Sequence, residues 1–159
     1  MIEEYHELLK QANLDRKKIK HKVSKLKRLK KGVVDKQVHQ LHDEAFEKID
    51  CLKCANCCKT TGPALTRKDI GRIAKSKGMK EGGFIDQFLK VDEEFEYIFK
   101  SMPCVFLGDD DHCNIYDDRP KACQEYPHTD RVNQLGILAL TEKNAQICPA
   151  VAYIFKELL

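Results

Sequence analysis

Four cysteines fall within eight residues, Cys51-Leu-Lys-Cys54-Ala-Asn-Cys57-Cys58, and four more follow at Cys104, Cys113, Cys123 and Cys148. A two-residue gap lets one tight turn aim two thiolates at a single ion while the intervening N–H groups point toward the sulfurs. Three such positions in seven residues, closed by distant ligands, would pin remote segments of the chain together. Eight cysteines in 159 residues stays below the ~8–10% of a disulfide-built secreted scaffold. Residues 1–10 hold three glutamates and lack the apolar core of a secretory signal. No apolar run approaches the ~20 residues of a membrane-spanning helix. The chain is therefore expected to be cytoplasmic, where clustered cysteines bind metal more often than they form disulfides.

Cys57 and Cys58 are adjacent, and adjacent side chains usually point in different directions. Either one is a ligand while the other packs, or each faces a different ion. Eight thiols would fill two four-sulfur sites, or one site with several to spare. Structural zinc commonly uses two tandem pairs, C-x2-C…C-x2-C, and only the first half has that form here. The bacterial ferredoxin run is C-x2-C-x2-C-x3-C-P. Cys51, Cys54 and Cys57 match its first three positions, and Cys148-Pro149 offers a remote fourth followed by proline. The x3 interval is missing, yet an iron–sulfur cluster of the 4Fe–4S kind is favoured over zinc.

The net charge of +3 conceals an uneven distribution. Residues 16–31 contain 10 basic residues out of 16 and no acid, and every cysteine lies at or beyond position 51. A basic helical arm (1–49) thus precedes a cysteine-cluster metal-binding domain (50–159). In the arm, Tyr5, Ala12, Ile19, Leu26 and Val33 recur every seven residues, with Leu9 and Val23 interleaved. One apolar stripe under a basic face suggests an antiparallel helical pair or a helix lying on the body. Asn13 or Asp15 would split the first helix from the second. Gly32 would break before a further helix carrying Val34, Val38, Leu41, Ala45 and Ile49. Lys25, Lys27, Arg28, Lys30 and Lys31 form a candidate surface for RNA or another polyanion, each phosphate contact adding a salt-dependent increment. Aromatic interleaving for base stacking is sparse, and a lysine-coated helix whose stems cover the apolar stripe is the plainer alternative.

The body opens with a loop over 51–58. Thr66 and Asp69 form a capping box ahead of Ile70, Ile73 and Ala74, with Gly78 as the stop. Residues 83–89 suit a short helix. Phe95, Tyr97 and Phe99 alternate as in a half-buried strand, and 104–107 with 113–116 suggest a hairpin. Pro120 and Pro149 sit where helices can begin. The predicted fold is α+β and mostly helical: a small, irregular domain stapled by metal, behind a basic helical arm.

The run 51–58, Leu65-Thr66 with Asp69-Ile70-Gly71-Arg72-Ile73, Pro103-Cys104-Val105-Phe106-Leu107, Cys113-Asn-Ile-Tyr116, Arg119-Pro120-Lys-Ala-Cys123, Tyr126-Pro127 and Cys148-Pro149 occur in one order. Together they resemble the CxxCxxCC (YkgJ-like) cysteine-cluster family over residues 50–155. The resemblance implies chelation of zinc or iron; some members are labelled iron–sulfur proteins or oxidoreductases. Where the family often carries an aromatic after the Tyr/Phe-Pro pair, this chain has His128, a candidate additional ligand.

The remaining candidates are secondary. Arg119 stands four residues before Cys123 and would offset thiolate charge or bind an anion, unless it pairs with the Asp117 and Asp118 region. His39 and His42 lie three apart on one predicted helix, and His112 adjoins Cys113. Asp109, Asp110 and Asp111 lack the alternation, glycine and terminal glutamate of a calcium loop. The candidate ligands are therefore all eight cysteines. A redox or modification enzyme built on the cluster, and an RNA- or ribosome-associated factor with a structural metal site, are the alternatives to metal binding alone. No dinucleotide fingerprint, phosphate-cradling glycine loop or nucleophile–base pair supports catalysis.

Overall fold

A computed structural model of the chain describes residues 1–158. In chain order the elements are α1 (Glu3–Leu14), α2 (Arg16–Leu26), α3 (Lys31–Lys48), α4 (Asn56–Thr60), β1 (Ala64–Leu65), α5 (Arg67–Ser76), α6 (Glu81–Phe88), β2 (Leu89–Val91), β3 (Tyr97–Phe99), α7 (Lys121–Glu125), α8 (Leu138–Asn144) and α9 (Pro149–Glu157). Short 3-10 turns occupy Cys51–Lys53, Tyr116–Asp118 and Gln134–Ile137. The architecture is mostly helical α+β, as the sequence predicts. Among the described residues no helix is long and apolar enough to cross a membrane.

The chain divides into two compact units, one of 1–54 with 127–159 and one of 55–126. The change in charge and cysteine content at 49/50 falls inside the first unit. There α1 and α3 both pack on α9, and α2 packs on α8. Tyr5, Leu9, Ala12, Ile19, Val23 and Leu26 are buried as the seven-residue pattern requires, whereas Val33 is exposed. The stripe ends there because the break lies at residues 27–30, and Gly32 belongs to the first turn of α3. Asp15 marks the junction of α1 and α2 without a side-chain cap; its carboxylate instead pairs with Lys18 at 2.6 Å.

Polar bonds between distant segments fix the first unit. The Tyr5 hydroxyl accepts from the Asp50 N–H at 2.8 Å. Asp35 accepts from the backbone N–H groups of Asn133 and Gln134 at 3.0 and 2.8 Å. The Lys22 ammonium donates to the carbonyls of Phe155 (2.7 Å), Lys156 (3.3 Å) and Leu158. It satisfies the orphan acceptors at the end of α9 and places a cation where the helix dipole favours one. That cation is structural, not available to a ligand.

The second unit is built on an antiparallel sheet in the order β1-β3-β2. Leu65, Ile70, Ile73, Phe84, Leu89, Phe99, Phe106 and Ile115 form its core, and Phe106 meets the rings of Phe88 and Phe99 at 5.2 and 5.4 Å. The Thr66–Asp69 capping box is formed, and Gly78 follows α5 at φ +66°, a conformation that costs a residue without a Cβ little. Two expectations need correction. Phe95 is 90% exposed at φ 61°, in the turn before β3 instead of on its inner face. The expected hairpin is reduced to a single bridge between Leu107 and Cys113, because the 3-10 turn at Tyr116–Asp118 ends the pairing.

Candidate metal centre

In the first unit, Asp50 caps the turn that carries the start of the cysteine run. Its carboxylate accepts from the Leu52 N–H at 2.9 Å, and the Cys54 N–H donates to the Cys51 carbonyl at 3.1 Å. A 3-10 turn therefore stands where a loop is predicted. Cys51 is exposed and Cys54 buried, with the Met1 sulfur 3.9 Å from the Cys54 sulfur. Cys148 immediately precedes α9, held by its N–H donating to the Asn144 carbonyl at 2.7 Å. Burial pushes the Cys148 thiol up to about 12; the N–H groups of Val151 and Ala150 pull the other way, and negative charge at Cys51 and Cys54 adds to the rise. Cys51, Cys54 and Cys148 thus share one electrostatic neighbourhood inside the first unit.

Cys57 and Cys58 lie on α4, the one-and-a-half-turn helix that opens the second unit. Their sulfurs are 4.0 Å apart. The expected divergence of neighbouring side chains is not seen, because successive positions on a helical turn differ by only about 100°. With Zn–S bonds of about 2.3 Å, two sulfurs on one tetrahedral ion stand roughly 3.8 Å apart, so this spacing suits a shared ion. The Cys58 carbonyl accepts the Cys104 N–H at 2.8 Å, and the Cys104 carbonyl accepts the Leu107 N–H at 2.9 Å. Leu107 in turn bridges to Cys113. Cys104 and Cys113 both pack against the edge of the core.

Cys123 reaches this group from α7. The Lys121 N–H at the start of α7 donates to Asp69 at 3.0 Å, so the capping carboxylate of α5 also anchors the helix carrying Cys123. Burial raises the thiols of Cys104, Cys113 and Cys123, the last to about 12, and Cys58 acts on all three. Cys58 behaves oppositely: a hydrogen bond from Cys57 brings it down to about 7 against its burial. Thiols that each resist ionisation beside a negative neighbour are those for which a bound cation changes the balance most.

Two charged groups border the set. The Arg119 guanidinium sits 3.9 Å over the Tyr116 ring, donates to the Tyr116 carbonyl at 2.8 Å, and lowers the thiol pKa of Cys113 and Cys123. Its contacts are to Tyr116, and among the described residues it makes no ion pair with Asp117 or Asp118. Lys59 pairs with Asp111 at 2.6 Å and favours the Cys58 thiolate. Sequence reasoning missed this pair; the only available signal was a lysine directly after the run and an acidic turn read as solvated.

The histidines divide differently. His39 donates to the Arg131 carbonyl at 2.8 Å, and His42 bonds the buried Thr129 hydroxyl at 2.7 Å, so both position the 129–131 segment. His112 is exposed, and His128 is half-buried at φ 67°. Lys25, Lys27, Arg28, Lys30 and Lys31 are all exposed.

Among the described residues no three Cys, His, Asp or Glu side chains stand close enough to hold an ion as they are. The fit to a thiophilic metal rests on donor chemistry: soft sulfur ligands select zinc, copper(I) and iron–sulfur clusters, and drawing such thiols together is coupled to binding. No curated protein and no solved structure matches the chain. One family pattern does, over residues 50–149, described as "CxxCxxCC: Putative zinc- or iron-chelating domain". With that match spanning more than half of its length, the chain belongs to the CxxCxxCC family.

Proposed function

We propose that this metal-chelating protein carries iron–sulfur centres in preference to zinc, with the eight cysteines as ligands and His128 as an additional candidate. The observation that supports the reading is that the Cys51-x2-Cys54 turn and the buried Cys148-Pro149 belong to the same unit. The order C-x2-C-x2-C matches the first three positions of the bacterial ferredoxin run, with Cys148-Pro149 as a remote counterpart of its closing C-P, whereas tandem zinc pairs are only half present. Bound iron–sulfur clusters supply one-electron transfer; the chain's thiols hold the cluster, and Arg119 offsets part of their charge. Binding alone is preferred to catalysis, because no cofactor-cradling motif accompanies the thiols. A cytoplasmic location, where thiols are kept reduced, is part of this reading.

The test is purification without oxygen, followed by elemental analysis and a visible spectrum. Brown protein with iron, acid-labile sulfide and a broad band near ~400 nm supports the reading. Colourless protein with stoichiometric zinc retains chelation and overturns the iron–sulfur assignment. Folded protein that holds neither metal overturns both.

The exposed cations Lys25, Lys27, Arg28, Lys30 and Lys31 favour a second reading, in which this surface docks RNA or another polyanion. Retention on a heparin column that falls steeply with salt supports it; unchanged retention after replacing Lys25, Lys27 and Lys30 by Gln refutes it.

A further inference from the structure

We infer that the CxxCxxCC run is divided between two metal centres: Cys58 works with Cys104, Cys113 and Cys123 in the second unit, while Cys51 and Cys54 work with Cys148 in the first. The inference rests on the chelating reading above and adds the allotment of ligands.

The geometry points to it in three ways. Cys54 is the last residue of the first unit and Cys58 lies within the second, so the run changes unit between them. The Cys58 carbonyl is bonded to the Cys104 N–H, and Cys104 is tied through Leu107 to Cys113. These cysteines therefore sit on adjoining strands of backbone. Asp69, buried at the start of α5, holds the first N–H of α7, which fixes the helix bearing Cys123 to the same core that Cys104 and Cys113 border. Cys51, Cys54 and Cys148 all belong to the first unit, and Cys58, Cys104, Cys113 and Cys123 all belong to the second. The four thiols of the second unit complete a tetrahedral zinc set or the ligand set of one cluster, and the three of the first leave one position to a non-cysteine ligand. Cys57, its sulfur 4.0 Å from that of Cys58 in the same unit, sides with the second centre as a fifth thiol.

The division is tested on the full chain, stripped with a chelator under reducing conditions and titrated with Zn²⁺, a redox-inert probe that accepts four thiolates. At each step the unprotected thiols are alkylated and located by peptide mass spectrometry. Two equivalents of Zn²⁺ should bind. Cys58, Cys104, Cys113 and Cys123 should become protected along one occupancy curve, and Cys51, Cys54 and Cys148 along another. Cys123→Ser should lower the capacity from two equivalents to one and deprotect only the first group; Cys148→Ser should do the converse. One equivalent protecting all seven together, or Cys123→Ser deprotecting Cys51 and Cys54, overturns the division while leaving chelation intact. No protection at any Zn²⁺ concentration, in a protein that also holds no iron as purified, overturns the chelating reading itself. If either variant fails to fold, the wild-type protection curves decide alone.

Discussion

Asp69 carries more of the second unit than a helix cap usually does. It is 1% exposed, and its carboxylate accepts from the Thr66 N–H (2.9 Å), the Thr66 hydroxyl (2.7 Å), Arg72 (2.7 Å) and the Lys121 N–H (3.0 Å). Asp69→Ala removes all four and leaves the Thr66 and Lys121 N–H groups without that acceptor. A lost N-cap costs about 1 kcal/mol, and each hydrogen bond to a buried charge about 1.5–3 kcal/mol. The terms overlap, and Arg72 is 37% exposed, so water recovers much of its share. About 3–4 kcal/mol is expected for Asp69→Ala by those magnitudes, and about 2 kcal/mol for Asp69→Asn, which keeps one acceptor. Against a typical domain stability of about 5–15 kcal/mol this is a severe loss.

Urea unfolding of the chelator-stripped protein at neutral pH measures it. The pH dependence provides a second check. Burial raises the Asp69 carboxyl, but the bonds from Thr66, Arg72 and Lys121 outweigh it, and the net shift is downward. Its stabilisation is therefore fully present above the unfolded carboxyl pKa of about 3.9 and lost as pH falls through the lower folded value. Asp69→Asn should flatten that acid limb. Because Asp69 also anchors α7, Cys123 should alkylate faster in both variants relative to Cys148. An Asp69→Ala protein less than about 1 kcal/mol weaker than wild type, with unchanged Cys123 reactivity, would refute the reasoning.

Three further outcomes are expected. Phe84→Ala removes a fully buried ring tilted against Phe88 at 5.2 Å and stacked on Phe106 at 6.2 Å; it should cost about 3–5 kcal/mol in the same denaturation assay. Lys22→Met uncaps α9 while keeping the apolar stem, and should lower stability by about 1 kcal/mol at low salt and by less as salt screens the charge, read by thermal unfolding in low and high NaCl. Cys57→Ala removes the hydrogen bond that brings Cys58 to about 7. The Cys58 pKa should return toward about 8.5 and its alkylation at pH 7 slow roughly tenfold, while an unchanged rate profile would show that Cys57 does not donate.

The helical stripe of Tyr5, Leu9, Ala12, Ile19, Val23 and Leu26 was legible because a helix repeats its buried face at fixed spacing, and the Thr66–Asp69 cap because its partners lie three residues apart. The family was legible in the cysteine spacing and the motif order. What escaped the sequence depends on distance along the chain. Asp69 to Lys121 spans 52 residues and Lys22 to Phe155 spans 133; no local pattern encodes either. Cys57 and Cys58 converge because a brief helix formed at Asn56–Thr60, although no periodic apolar pattern announces it. Phe95 misled for the opposite reason: alternation continued by chance one step beyond the strand into a left-handed turn.

The Lys22 cap has a consequence for where this molecule can be cut. The family-matched stretch ends at residue 149, where α9 starts, yet Val151, Ile154 and Phe155 on that helix are buried in a unit walled by α1 and α3. A shortened chain beginning at residue 50 would bare an oily helix and unseal its carboxyl end, immediately downstream of Cys148. Such a fragment should clump or lose sulfur-held metal at that end first, so the amino-terminal helices act as scaffolding for the turn and helix start that carry Cys51 and Cys148.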